Sequence, residues 1–180
     1  MIGYKEWEVV CEALGTGGQA LLLRKGGIHE GRAGFSFKHE KFVLFPTRFH
    51  AQGDQVRVPC ESSGGEWEVG EVVPMQYSCE AVWARTLTDW EVVKRLEEYH
   101  IWSDELVRER FAWGEEGSIH CALVRVSRLA RRWELPYEKR YGGCRTWVEL
   151  PDQEIGTLTP VIGEEEFAAL KRRVEEVVGV

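Results

Sequence analysis

The sequence predicts an α+β domain in which a mixed or antiparallel sheet is flanked by N-terminal, central and C-terminal helices. Three observations carry this. The apolar patterning runs in the order helix, strands, two helices, strands, helix, without regular βαβ alternation. The 180 residues suffice for one domain, residues 1–180, with a sizeable core. The composition, 43% hydrophobic and 29% charged, is that of a globular chain.

Each element has a local reason. In residues 4–14, Trp7, Val10, Cys11 and Leu14 fall at i, i+3, i+4 and i+7, which predicts an amphipathic helix stopped by Gly15. Residues 20–23 form a short apolar run, as in a buried strand. Phe35, Phe37 and His39 alternate with polar residues and would share one strand face. Residues 42–45 predict a second strand whose pairing Pro46 ends. Residues 50–70 read as loop or β-ribbon, and residues 72–87 contain strand-like pieces.

Thr88 and Glu91 fit a capping box for a helix reaching about Tyr99. Ser103 caps the next helix, with Asp104 and Glu105 favourable in its first turn and Gly114 closing it. Residues 119–126 form a strand with His120, Ala122, Val124 and Val126 on one face and Cys121, Leu123 and Arg125 on the other. A turn at residues 141–144 precedes a strand at 145–150. Residues 164–178 form the terminal helix, with Phe167, Leu170, Val174 and Val177/Val178 as its stripe.

The composition narrows the function. A net charge of −7 argues against an indiscriminate nucleic-acid coat. The charge is uneven, with net +2 over residues 1–60, −9 over 61–119, +5 over 120–147 and −5 over 148–180. If the first and third segments meet, they make a basic face on an acidic protein. No apolar run reaches the length of a membrane span, and residues 1–8 lack a secretory h-region, which predicts a cytoplasmic protein with no membrane partner. Five scattered cysteines without a CxxC pair indicate neither a disulfide framework nor a zinc knuckle.

The stretch from 21 to 50 holds the leading candidate site. Arg24 and Lys25 close a strand, and Gly26 and Gly27 free the backbone behind them. Two cations beside exposed N–H groups suit a phosphate or carboxylate. A plain turn with solvated cations is the plainer alternative. Neither GxxxxGK[ST], nor the glutamates of a Nudix box, nor a strand-end carboxylate-x-Lys nuclease pattern is present.

Four further residues, His29, Glu30, His39 and His50, suit either acid–base work or a divalent metal, although no ready-made ligand spacing occurs. Downstream stand Arg110, His120, Arg125 and the run Gly142-Gly143-Cys144-Arg145. Of these, His120 or Arg125 would complete the early site, but not both from one face. Cys144 is either a nucleophile activated by a neighbour or a packed thiol.

The blocks KEWEVVCEAL (5–14), QALLLRKGGIHE (19–30), HEKFVLFPTRFH (39–50), HCALVRVSRL (120–129) and GGCRTWVEL (142–150) resemble a bacterial family, domain of unknown function 1802. The resemblance spans roughly residues 4–150 and implies no activity, cofactor or fold. It does imply that Lys25, Gly26, Gly27, Glu30, His39, Pro46, Thr47, His50, His120, Arg125 and Cys144 belong to the family pattern.

The residues therefore point to an anion-binding domain for a nucleotide or nucleic-acid phosphate, in which phosphodiester hydrolysis is an open extension. Arg24, Lys25, Gly26, Gly27, Thr47 and Arg125 would bind the ligand. Glu30, His39, His50 and His120 would do acid–base work, with or without a divalent metal. The alternative is a non-catalytic protein-interaction domain using a tryptophan-rich surface. The geometric expectation is that the strand ends at Arg24 and Thr47 converge and that His120 or Arg125 joins them.

Overall fold

The computed structural model describes residues 1–25, 36–49, 51–59, 64–113 and 117–179. It is an α+β structure built on one curled, mixed sheet in the order β2-β5-β4-β3-β1-β6, with β7 added beside β5. The strands are β1 (Ile2–Trp7), β2 (Leu21–Arg24), β3 (Lys41–Thr47), β4 (Val72–Leu87), β5 (Ile119–Pro136), β6 (Trp147–Glu149) and β7 (Thr159–Pro160). The helices are α1 (Glu8–Gly15), α2 (Trp90–Arg95), α3 (Asp104–Ala112) and α4 (Glu164–Val178). Only β1 and β3 run parallel; the other pairs are antiparallel.

The predicted N-terminal helix is half strand. Ile2–Trp7 lies between β3 and β6 and pairs with both, and the helix begins only at Glu8. Pairing on two sides satisfies backbone groups that a local helix would otherwise claim, so tertiary context overrides the periodicity at Trp7. Pro46 does not end β3. It stands in register with Glu6, while the β4 ladder on the other side stops at Val43. The missing N–H therefore faces an unpaired side and loses no ladder bond.

The α2 cap also moves by one residue. Asp89, not Thr88, accepts the Glu91 N–H at 2.9 Å. Residues 97–99 form a 3-10 turn rather than the end of that helix. Ser103 caps α3 as the sequence predicts, accepting the Leu106 N–H at 3.3 Å. Residues 36–39 are not strand, and Phe35 and Gly114 lie outside the described residues.

The two long strands β4 and β5 make the backbone of the sheet. Their register shifts between Met75 and Tyr77 and again between Ala81 and Trp83. Such bulges bend and twist a strand pair. The curl has a direct measure. Arg24 of β2 lies 3.8 Å from Glu6 of β1, although β5, β4 and β3 separate those strands in the sheet order.

Alternation along β3 sends Phe42 and Leu44 into one apolar cluster and Val43 and Phe45 into another. The larger cluster takes residues from all four helices, including Leu14, Val93, Val107 and Val174. The smaller, with Met75, Leu135, Tyr141 and Val148, has no member from the four α-helices among its described buried residues. Each buried Phe or Leu contributes about 1.5–3 kcal/mol relative to exposure. Among the described residues, no helix is long and apolar enough to cross a membrane.

Candidate functional site

The curl leaves a cavity of about 540 Å³ where the ends of β2 and β3 approach β1, α3 and the turn before β6. Six basic side chains line it: Lys5, Arg24, Lys25, Arg48, Arg110 and Arg145. Among the described residues, Glu66 is the carboxylate in the lining. Trp7, Phe45, Phe49, Trp67 and Tyr137 supply aromatic wall.

Lys5 is 9% exposed. Strand alternation turns it away from the Tyr4 side, and its Nζ donates to the carbonyl oxygens of Tyr141 at 2.8 Å and Gly143 at 2.7 Å. Gly143 has φ +76°, a left-handed conformation that glycine adopts without Cβ strain. Burial, and then the Arg24 charge, lower the Lys5 pKa to about 8.

Glu6 points the other way along the strand and is 0% exposed. Its Oε1 accepts the Trp7 N–H at 2.8 Å, while Oε2 faces Arg24 at 3.8 Å. Arg110 reaches the same region from α3. It donates to the Leu23 carbonyl at 3.1 Å and lies 5.0 Å and 5.2 Å from the Trp7 and Trp102 ring centres. Burial lowers its pKa to about 10, against the opposing pull of Glu6. A buried carboxylate between two guanidiniums is a charge cluster whose members need one another.

The remaining walls are fixed by different bonds. Lys25 donates to the Ser118 carbonyl at 3.1 Å and to its hydroxyl at 3.2 Å. Thr47 donates to the Glu6 carbonyl at 3.0 Å, tying β3 to β1. Arg48 makes a two-pronged pair with Glu8 at 3.0 Å and 2.9 Å and stacks 3.6 Å from the Trp67 ring centre. The Trp67 indole donates to the Pro46 carbonyl at 2.8 Å. Arg145 donates to the Arg140 carbonyl at 3.2 Å.

The structure brings three of the sequence-predicted residues to this cavity: Arg24, Lys25 and Thr47. The downstream run Gly142-Gly143-Cys144-Arg145 and Arg110 join them. Gly26, Gly27, His29, Glu30 and His50 lie outside the described residues. The other described candidates sit elsewhere. His39 packs against Trp147 with ring centres 4.8 Å apart. His120 stands opposite Arg24 in the β2–β5 register, with its Nδ1 2.9 Å from the Thr86 hydroxyl. Arg125 pairs with Glu164 and lies 4.5 Å from the Phe167 ring centre, so it anchors α4.

Sequence reasoning did not find Lys5, Glu6, Trp7, Arg48, Glu66 or Trp67 as site residues. A strand reading of residues 2–7 was the available signal, because it separates Lys5 and Trp7 from Tyr4 and Glu6 by parity. The stacking of Arg48 on Trp67 has no local signal. Among the described residues, no group of three or more His, Cys, Asp or Glu side chains is placed to hold a metal ion. Cys11, Cys79 and Cys121 are buried thiols, and burial pushes all three pKa values up, while Cys144 is exposed at the cavity. The tryptophans are mostly packed, and among the described residues Trp113 is the exposed one.

None of the curated proteins matches the chain. Among solved structures, a mutant of the ZmASCH protein from Zymomonas mobilis is similar at 11% identity, covering 96% of this chain and 94% of that one, with a TM-score of 0.46. The model of the family described as domain of unknown function (DUF1802) matches residues 3–173. That span takes in β1, the cavity walls and most of α4, and the chain belongs to the DUF1802 family.

Proposed function

We propose that the cavity binds a nucleotide, free or as part of a nucleic acid, with the phosphate on the cations and the base against the aromatic wall. One observation carries this reading. Lys5, Lys25, Arg110 and Arg145 direct their hydrogen bonds to carbonyl or hydroxyl oxygens, not to carboxylates. Their positive charge is therefore only partly cancelled, by Glu66 in the wall and Glu6 behind Arg24. A phosphate supplies the missing negative charge and several acceptors at once.

Two properties support the same reading. The volume lies within the usual range for small-molecule sites. The protein as a whole is acidic, so the attraction is local, as expected of a site for a defined ligand rather than a coating surface. The described lining includes no histidine, so the function proposed is binding, and no hydrolytic step is assigned to it.

The test is a titration of tryptophan fluorescence with a nucleoside monophosphate, beside inorganic phosphate and the uncharged nucleoside. The nucleotide is expected to bind more tightly than either fragment. Lys25→Ala and Arg145→Ala are each expected to weaken it by about tenfold, the equivalent of roughly 1.4 kcal/mol. Equal binding by wild type and both variants would remove the cavity from the account.

A further inference from the structure

A second, smaller cavity of about 280 Å³ adjoins the first. Lys25 and Arg110 line both. The other described residues of its wall are Leu106, Glu109 and Trp113, from α3 and the residue that follows it. Trp113 is 61% exposed, which is unusual in a protein whose other aromatic side chains mostly pack. Its indole face is open beside two cations.

We propose that this cavity is the subsite for the neighbouring nucleotide of a single strand, so that the ligand is an oligonucleotide rather than a free mononucleotide. This rests on the reading of the larger cavity as a nucleotide site. Trp113 stacks the second base, since an open indole face accepts any base without sequence preference. Lys25 holds the phosphate that joins the two nucleotides. Two of its three ammonium protons go to Ser118, leaving one for the phosphate oxygen. Glu109 is the acceptor in this wall and suits an amino group on the base edge. A duplex offers no unstacked base to Trp113, so the partner is single-stranded.

The test compares a nucleoside monophosphate with a dinucleotide carrying one internal phosphodiester, in ribose and deoxyribose forms, and with a blunt-ended duplex. The dinucleotide is expected to bind about five- to a hundredfold more tightly than the mononucleotide, the range of one base stacked on an aromatic side chain. Trp113→Ala is expected to abolish that gain and leave mononucleotide affinity unchanged, and Trp113→Phe to keep part of it. A gain with either sugar supports the subsite, and the larger of the two identifies RNA or DNA as the source.

If the mononucleotide binds but the dinucleotide gains nothing, or the gain survives Trp113→Ala, the subsite is wrong while the larger cavity stands. Preferred binding of the blunt-ended duplex would also overturn it. If no nucleotide binds at all, both readings fall together. The exposed position of Trp113 makes unchanged thermal unfolding the expected control.

Discussion

The basic residues of this protein live in two kinds of surroundings. On the outer elements several are matched by carboxylates, while Arg95 and Arg128 donate to the carbonyls of Val177 and Gly15. Arg57 lies 3.5 Å from Glu97 and 3.7 Å from Asp104, Lys41 lies 3.4 Å from Glu80, Lys171 lies 3.7 Å from Glu175, and Arg125 pairs with Glu164. In the curl of the sheet, Arg24 and Arg48 face Glu6 and Glu8, whereas Lys5, Lys25, Arg110 and Arg145 bond to neutral oxygens. The first arrangement neutralises charge in place and holds elements together. The second orients positive charge that Glu6 and Glu66 only partly cancel. Lys5 and Arg110, the most buried of the four, also carry a desolvation cost, seen in their lowered pKa values.

The sharpest way to break this contrast is to remove one arginine from each setting. Arg110→Ala takes a guanidinium from the buried cluster and leaves Glu6 facing Arg24 alone. A loss of about 3–5 kcal/mol in urea unfolding is expected. Arg125→Ala removes a pair whose Glu164 partner is largely exposed and costs about 1 kcal/mol or less. Equal losses would mean that the two environments do not differ as described.

A buried titratable group next to the cavity cluster sharpens the same point. His100 is buried beside Trp102, and burial, then Arg57 and Arg110, lower its pKa to about 3. The unfolded chain takes up this proton near pH 6.5, the folded chain only near pH 3. Between those values the unfolded state holds more protons, so stability falls as pH falls, by up to about 1.4 kcal/mol per pH unit. His100→Phe keeps a ring against Trp102 and is expected to flatten that slope. A slope unchanged in the variant would assign the acid sensitivity to other groups.

How much was legible in the sequence follows from how local each signal is. The terminal helix was readable because its apolar stripe and acidic first turn lie within one element. Its cap at Gly179, with φ +75°, is a further local feature. Ser103 was readable for the same reason. β1 was not, because its strand character comes from β3 and β6, about 40 and 145 residues away. At the site, Arg24, Lys25 and Thr47 were visible as strand ends, and Gly142 to Arg145 as a turn. Lys5, Arg48 and Trp67 depend on how distant segments meet in the curl. His39 and Arg125 show the converse. Each has chemistry suited to the site, but packing on Trp147 and on α4 places it elsewhere.

The central claim is that the only partly cancelled cations of the curl, Lys5 among them, receive a phosphate. The most direct measurement is the affinity of a nucleoside monophosphate between pH 7 and 9.5, where its phosphate is already close to dianionic. Lys5 in the free protein loses its proton near pH 8, and a bound phosphate raises that value. Affinity should therefore be full below pH 8 and decline above it, in wild type and Arg125→Ala alike, with the decline absent in Lys5→Met. An affinity that stays constant across pH 8, or one weakened as much by Arg125→Ala as by Arg145→Ala, would contradict the account.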